Sequence, residues 1–279
     1  MKAKMSKLKD GLSVVVIAKN EENILNRTLR HITGIADEIV FIDTGSHDNT
    51  VEIAGKFRCR TFEFQWCDDF SKAKNFGVEQ ARYKWILNID CDEVLYDKNA
   101  KLLIEKACRI NNKPAYIIWQ DNLYDNGGVG QVKVMRLFRN DPGIRFRNHV
   151  HESICESVYR NWPGYKPEVV DIHLRHYGHL SFNATGKHER NIGILRKWIE
   201  SDPDNIYANY KLAMTLFETG RIEESLPQFE KTFDVISEVK DKNTYPFIGD
   251  FMNFYYRILV DSGFAEKACG LRGIVEAWV

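Results

Sequence analysis

The sequence predicts an α/β domain with a mostly parallel central sheet, followed by a small all-helical region. Short apolar runs alternate with longer amphipathic runs as far as Cys91, and polar residues collect directly after several of the apolar runs. From about Phe182 onward the hydrophobic period is wholly helical. Because strands that alternate with crossover helices form parallel sheets with right-handed connections, we place the α/β domain at residues 1–185 and the helical region at 186–279.

The first half of the α/β domain contains four predicted strands. Each is a short run of mainly apolar and β-branched residues, typical of strands buried on both faces. The runs are Leu12–Ala18, Glu38–Asp43, Cys59–Phe64 and Lys84–Asp90. Amphipathic helices are expected between them, with Asn20 as the N-cap of the first and Asp48 or Asn49 as the N-cap of the second.

A change to period two follows a further helix at about Asn99–Ile110. Ala115–Tyr124 and Gln131–Arg139 flank Asp125-Asn-Gly-Gly, which is a hairpin-type turn. Ile144–Phe146 and Val169–His176 are predicted as additional short strands.

Two helical hairpins are predicted in the C-terminal region. Asn205–Thr219 and Ile222–Ile236 are separated at Thr219-Gly220 and are similar to one tetratricopeptide (TPR) hairpin. The second pair is Tyr245–Val260 and Phe264–Trp278, and a homodimer through these helices is one expected arrangement. The sequence ends in an apolar helical run, for which we expect either further chain or a covering partner surface.

The charge balance and the cysteines narrow the class of protein. Lys+Arg and Asp+Glu are equal at 39 each, so no overall field favours nucleic acid or an anionic membrane. Leu12–Ala18 is far too short to cross a bilayer. The six cysteines include no Cys-x-x-Cys pair, which argues against a disulfide framework or a zinc site. We expect a cytoplasmic protein without an integral membrane segment.

Polar residues follow three predicted strands, at Lys19–Glu21, Asp43–Asp48 and Asp90–Glu93. Open α/β sheets bind ligands at this edge. Asp90 and Asp92 are carboxylates one residue apart, and a hard dication accepts such oxygens together with phosphate oxygens and water. The alternative is a solvated acidic turn.

Four segments in order resemble the family 2 glycosyltransferases. They are Val15–Glu21, Ile42–Thr50, Asp69–Asn75 and Ile89–Glu93, and they cover about 80 residues. The resemblance implies the GT-A (nucleotide-diphospho-sugar transferase) fold. Among subgroups, the sequence is similar to bacterial sublancin-type peptide glycosyltransferases, which also carry helical repeats after the catalytic domain.

The resemblance implies a nucleotide-sugar site. Ala18, Asn20 and Glu21 match the segment that contacts base and ribose. Asp43 matches the aspartate that accepts a hydrogen bond from the uracil imide, for which an acceptor-only carboxylate is suited. Asn20 and Asp43 are also explained as caps of the following helix or turn.

The remaining donor-site residues come from the last two segments. Lys74 and Asn75 are expected to face the base or diphosphate, although an exposed lysine is the alternative for Lys74. Asp90 matches the residue nearer the ribose and Asp92 the direct metal ligand, with Cys91 as a small spacer between them.

Histidines and one glutamate complete the predicted site. His149 and His151 alternate, so on a strand they would share one face. The resemblance makes Glu152 the candidate base that takes the acceptor's proton. His151 and His176 compete as the further metal contact, and a structural pair on the sheet rim is the alternative for the 149–152 segment.

The sequence therefore predicts a metal-dependent inverting transferase that uses Mn²⁺ or Mg²⁺. It would move a hexose or N-acetylhexosamine from a UDP-sugar to a peptide or protein side chain, with Asp92 and Glu152 as catalytic residues. Synthesis of lipopolysaccharide or another surface glycan is the alternative activity. A non-catalytic helical-repeat interaction protein is the alternative class. A dinucleotide-binding enzyme is excluded because no Gly-x-Gly-x-x-Gly follows the first strand.

Overall fold

The computed structural model describes residues 8–110, 113–180, 186–238 and 247–278. The chain divides into two compact units, Met1–Thr185 and Gly186–Val279. The first unit is α/β and the second is helical. The predicted fold class, a mostly parallel sheet followed by helices, is confirmed.

One eight-stranded sheet forms the first unit in the described residues. Its strands are β1 Lys9–Ala18, β2 Glu38–Asp43, β3 Arg60–Glu63, β4 Tyr83–Asn88, β5 Glu93–Leu95, β6 Ala115–Leu123, β7 Val129–Arg139 and β8 Val169–His176. They lie in the order β3-β2-β1-β4-β7-β6-β8-β5. The first four pair in parallel, β6 and β8 are also parallel, and β7 pairs antiparallel with both β4 and β6.

Helices cover both faces of the parallel strands, as the continuous apolar sequence of β1 requires. The helices of this unit are α1 Leu25–Ile32, α2 Thr50–Lys56, α3 Phe70–Gln80, α4 Ala100–Arg109 and α5 Cys155–Asn161. Side chains of β1 alternate between two cores. Val14 and Val16 pack with α1, whereas Val15 and Ile17 pack with α3.

Two local predictions are wrong. Asn20 is not an N-cap, because α1 begins at Leu25 and Asn20 has the left-handed φ of 56°. Ile144–Phe146 is not a strand, although both Ile144 and Phe146 are buried in the core on the α3 side. Buried Ile144 and Phe146 on either side of Arg145 give the sequence the apolar–polar alternation that a strand would also have.

The half of the sheet that runs from β4 through β7, β6 and β8 to β5 must curl. β5 follows β4 after only four residues, yet β7, β6 and β8 lie between them. In a flat sheet four strand spacings would separate β4 from β5 by about 19 Å. Five extended peptide steps reach at most about 18 Å. Because Asp90 and Glu93 are also hydrogen-bonded to each other, the connection is folded rather than extended. Curling therefore returns β5 towards the end of β4.

Five helices form the second unit in the described residues. They are α6 Lys187–Ser201, α7 Ile206–Glu218, α8 Ile222–Ser237, α9 Ile248–Asp261 and α10 Ala265–Trp278. Gly220 and Gly263 have positive φ, which lets α7–α8 and α9–α10 turn sharply. The core includes stacked Phe229 and Tyr255 rings. No helix in the described part of the chain is long and apolar enough to cross a membrane.

Candidate active site

The loops after β1 and β2 are fastened to each other. The Asn20 backbone N–H donates to Ser46 Oγ (2.9 Å), and the Asn20 side-chain oxygen accepts from the His47 N–H (2.8 Å). One residue on, the Glu21 N–H donates to Thr50 Oγ1 (2.7 Å). The left-handed backbone of Asn20 thus serves to join two loops at the ligand edge of the sheet.

Asp43 ends β2 and is buried. Its carboxylate accepts from the N–H groups of Gly45 and Ser46 at 3.1–3.2 Å, which closes the turn that follows the strand. The carbonyl of Ala18 accepts from both the N–H and the hydroxyl of Thr44. The structure therefore places Ala18 and Asp43 side by side, as their paired register requires.

The Asp90–Glu93 turn is held at every residue. Glu93 Oε2 accepts from the Asp90 N–H (2.8 Å), while the Glu93 N–H donates to the Asp90 carbonyl (3.0 Å). The Cys91 carbonyl accepts from Thr28 Oγ1 (2.6 Å), and the Asp92 carbonyl accepts from the Tyr177 N–H (2.9 Å). This backbone is therefore fixed before any ligand arrives.

Cys91 lies inside the turn as a buried spacer. Its thiol donates to the Ile17 carbonyl (3.1 Å). Burial, together with the neighbouring carboxylates of Glu21 and Asp92, raises the pKa of the Cys91 thiol well above its ordinary value. A protonated, buried thiol is a poor nucleophile.

Lys74 is buried on α3 and bridges two acidic side chains. Its ammonium lies 2.7 Å from Asp90 Oδ1 and 2.5 Å from Glu152 Oε1, and its side chain is only 1% exposed. Burial alone would lower the pKa of Lys74, but the charges of Asp90 and Glu152 raise it. The alternative of an exposed lysine is wrong.

Arg136 of β7 engages the other oxygen of Asp90. Its guanidinium donates to Asp90 Oδ2 (2.8 Å) and to Asn88 Oδ1 (2.6 Å) and lies 3.4 Å from Glu93 Oε1. Burial would raise the pKa of Asp90, but Arg136 and Lys74 hold it far below its ordinary value. Burial raises the pKa of Glu93, which is fully enclosed.

Asp92 meets His176 at the end of β8. Asp92 Oδ2 lies 3.5 Å from His176 Nε2, and His176 Nδ1 contacts Asn122 Oδ1 (2.8 Å) and Gln120 Nε2 (2.9 Å). Burial opposes protonation of His176, but the hydrogen bond and charge of Asp92 raise its pKa. A Cβ at Gly178 would lie 2.3 Å from His176 Nε2 and 2.7 Å from Asp92 Oδ2, so a larger residue there would displace one of these two side chains.

The 147–153 segment is an irregular loop rather than a strand. Asn148 and His151 have positive φ, and a single bridge joins Arg147 to Ser153. The prediction that His149 and His151 share one face of a strand is therefore wrong. His149 Nε2 lies 3.4 Å from Asp69 Oδ2, and burial lowers the His149 pKa.

Asn75 fastens this loop to α3. Its side-chain oxygen accepts from the Phe146 N–H (2.8 Å), and its amide donates to the Phe146 carbonyl (3.0 Å). The oxygen and the nitrogen of the Asn75 amide are thus both hydrogen-bonded to the backbone of Phe146. The loop that begins after Phe146 also carries Glu152, which contacts Lys74, so neighbouring residues of α3 hold both the loop and its glutamate.

The predicted metal ligands are brought together only in part. Asp92 and His176 are neighbours, whereas His151 is exposed on its loop. Among the described residues, no three His, Cys, Asp or Glu side chains form a set that could hold a metal ion. Mg²⁺ is commonly bound by one or two carboxylates together with substrate phosphates. The Asp92–His176 pair fits such a shared site and favours His176 over His151.

Sequence reasoning missed Arg136 and Gln120, and it included Glu93 in the acidic segment without a role of its own. Arg136 interrupts the apolar run Val134–Phe138, and a charged residue inside such a run was the available signal. Gln120 and Asn122 are two apart, so they share a face of β6 and are both buried. A buried amide pair at period two indicates a polar interior rather than a solvated face.

The comparisons with known proteins agree with this fold. Residues 13–161, just over half of the chain, match the model of Glycosyl transferase family 2. The structure is similar to that of TarS from S. aureus, with a TM-score of 0.53, 15% identity and coverage of 95% of this chain and 54% of that one. A shorter TarS structure, residues 1–349, gives a TM-score of 0.50 at 17% identity, with coverage of 96% and 91%.

Two curated relatives extend the likeness. The SPbeta prophage-derived glycosyltransferase SunS of Bacillus subtilis is 26% identical over 245 residues, which are 82% of this chain and 55% of SunS. A TPR repeat-containing protein of Synechococcus elongatus is 29% identical over 227 residues, 76% of this chain and 54% of the relative. The chain spans about half the length of both relatives.

The mostly parallel sheet, with its acidic turn at the ligand edge, is that of a GT-A glycosyltransferase. The chain belongs to glycosyl transferase family 2, and the predictions of this family, of a SunS-like relationship and of a glycosyltransferase enzyme are confirmed.

Proposed function

We propose that this chain is the catalytic part of a metal-dependent inverting glycosyltransferase that uses a UDP-sugar donor. The observation that carries the proposal is the Asp90–Glu93 turn, which is fixed at the ligand edge with Asp92 directed to His176. A divalent cation, Mn²⁺ or Mg²⁺, bound by Asp92 and His176 would supply Lewis-acid stabilisation of the departing diphosphate. Ala18, Asn20, Glu21 and Asp43 form the adjacent wall for the nucleoside.

Glu152 is the proposed base. Its Oε1 is held by Lys74 at 2.5 Å, so the carboxylate is oriented and Oε2 can accept the acceptor's proton. Lys74 also contacts Asp90, and it therefore links the donor side of the site to the base. This is a positional role, and it replaces the expected contact of Lys74 with the base or diphosphate.

The proposed acceptor is a peptide or protein side chain, and the transferred sugar is a hexose or N-acetylhexosamine. Support for a peptide comes from the two helical hairpins, α7–α8 and α9–α10, which resemble peptide-binding repeats. A surface-glycan acceptor is the alternative. We propose a cytoplasmic location, with which the six free cysteines agree.

The test is a panel of UDP-sugars assayed with and without Mn²⁺ or Mg²⁺. We expect metal-dependent release of UDP and loss of turnover in Asp92→Asn, with folding retained. Asp171→Asn is the matched control, because the Asp171 side chain is 85% exposed on β8. Full turnover in Asp92→Asn would refute the metal role. The absence of any nucleotide-induced thermal shift would favour a non-catalytic interaction protein.

A further inference from the structure

A β-bulge lies beside the acidic turn. Tyr116 pairs with Leu137 and Ile117 pairs with Met135, so Arg136 is the extra residue of β7. The extra residue of a bulge does not follow the alternation of side chains between the two faces of the sheet, so its side chain can point in another direction. The bulge explains how a guanidinium enters an interior whose neighbouring positions, Met135 and Leu137, are apolar and buried.

The re-aimed guanidinium joins both ends of the turn. Arg136 contacts Asn88, the last residue of β4, as well as Asp90 and Glu93. Its side chain is 14% exposed and that of Glu93 is fully buried. Because β4 and β5 lie at opposite ends of the curled half of the sheet, Arg136 connects strands that do not pair with each other.

Glu93 transmits this contact to the backbone. Its carboxylate accepts the Asp90 N–H while its own N–H donates to the Asp90 carbonyl, so the turn is closed reciprocally. Asp92 lies between these two fixed residues. Its direction towards His176 therefore depends on the closed turn.

We infer that Arg136, delivered by the β-bulge, and Glu93 are positioning residues that hold the Asp90–Glu93 turn in its donor-binding form. Neither needs to touch the donor. Arg136 acts on the carboxylates of Asp90 and Glu93, and Glu93 acts on the backbone of Asp90. The expected effect on turnover rests on the proposed function, whereas the effect on the turn itself does not.

Hydrogen exchange of the ligand-free protein tests the positioning directly. In Arg136→Met, we expect the amides of residues 89–95 to exchange at least about tenfold faster than in the wild type. Arg139→Met is the matched control on the same strand. Its guanidinium stacks over Trp85 and donates to the Lys113 carbonyl, so its loss should leave residues 89–95 unchanged. Equal exchange of this segment in both variants would overturn the inference.

Conservative variants distinguish the loss of a specific contact from general misfolding. Glu93→Gln keeps an oxygen that can accept the Asp90 N–H, so we expect slow exchange to persist, while Glu93→Leu should behave as Arg136→Met does. Arg136→Lys keeps the charge but lacks the fork that reaches three groups, and we expect only partial protection. Slow exchange in Glu93→Leu would contradict the role given to Glu93.

Kinetics separate this inference from the proposed function. With a UDP-sugar that the wild type uses, we expect kcat to fall about ten- to a hundredfold in Arg136→Met and to stay near the wild-type value in Arg139→Met. A wild type that neither binds UDP nor turns over would refute the proposed function alone, since the exchange result would still stand. Wild-type kcat in a folded Arg136→Met would overturn the inference.

Discussion

Lys74 shows how one buried charge organises the site. Ser71, Lys74 and Val78 lie on the same buried face of α3, and the other buried residues of this helix, Ala73 and Gly77, are small. The ammonium is retained in this position because it neutralises Asp90 and Glu152 together. Removing one partner of a buried ion pair leaves uncompensated charge, which is strongly destabilising.

Lys74→Met should therefore lower the free energy of unfolding by about 3–5 kcal/mol. Lys72→Met is the matched control, because Lys72 lies two residues away on the same helix with its side chain 64% exposed. We expect the control to cost less than about 1 kcal/mol. Urea unfolding of both variants measures the difference, and equal losses would show that burial of Lys74 has no energetic consequence.

Cys91 should resist alkylation in the folded protein. Its thiol is buried and its pKa is raised, so the reactive thiolate is scarce and inaccessible. Cys67 and Cys269 are exposed and should react first with iodoacetamide. Mass spectrometry after timed quenching identifies the modified residues. Early labelling of Cys91 would contradict the described turn.

At the scale of elements, α3 packs closely against the sheet at Gly77. A Cβ there would lie 2.6 Å from Val15 Cγ1 and 3.0 Å from Ile42 Cγ1. The glycine therefore sets the distance between α3 and strands β1 and β2. Lys74 lies one turn earlier on the same helix, so this distance also determines where its ammonium lies.

Gly77→Ala should force α3 away from the sheet and lower the free energy of unfolding by about 1–3 kcal/mol. Gly55→Ala is the control, since a Cβ at Gly55 on α2 meets nothing within 4 Å. Helix propensity alone should make that variant neutral or more stable by up to about 1 kcal/mol. Thermal unfolding compares the two, and a stabilising Gly77→Ala would exclude the close approach.

Elements with strong local periodicity could be predicted from the sequence, and long-range pairings could not. The strands β1, β2 and β4 and the β6–β7 hairpin follow from apolar runs and from the Asp125-Asn-Gly-Gly turn. β5 has only three residues, and its strand character comes from pairing with β8. The bulge could not be predicted, because a charged residue inside an apolar run does not by itself show where the pairing register shifts.

The candidate site was predictable where a single residue type carries the chemistry. Asp90 and Asp92 stand out as acidic residues after a buried strand. The burial of Lys74 was not predictable, because two lysines at positions 72 and 74 look alike in sequence and only the packing of α3 distinguishes them. The same holds for Asn75, whose amide is used by the Phe146 backbone.

At the scale of the whole molecule, the formal net charge is zero. Lys+Arg and Asp+Glu balance at 39 each, and the sequence pI is about 7.1. A chain without net charge has no long-range repulsion between copies. Attraction of the proposed anionic donor would then come from the local field of the site rather than from the overall field.

We expect the solubility of this chain to be lowest near pH 7 and to rise on either side, as carboxylates and histidines gain protons or lysines lose them. Static light scattering at fixed protein concentration across a pH series measures this. A minimum far from neutrality would show that folding or association has shifted the charge balance.

The strand order of the curled half also affects which parts of the sheet can form first while the chain is being synthesised. Strands β1 to β4 pair only with one another and with β7, so the parallel half can form once residue 88 has left the ribosome. Glu93, in contrast, finds its partner in His176, roughly eighty residues further along. Because such distant closure is slow, the acidic turn is completed late, after the parallel half has formed. A nascent chain arrested before β8 could thus pair six of the eight strands, β3-β2-β1-β4-β7-β6, while the Asp90–Glu93 turn still lacked its contacts with β8 and Tyr177.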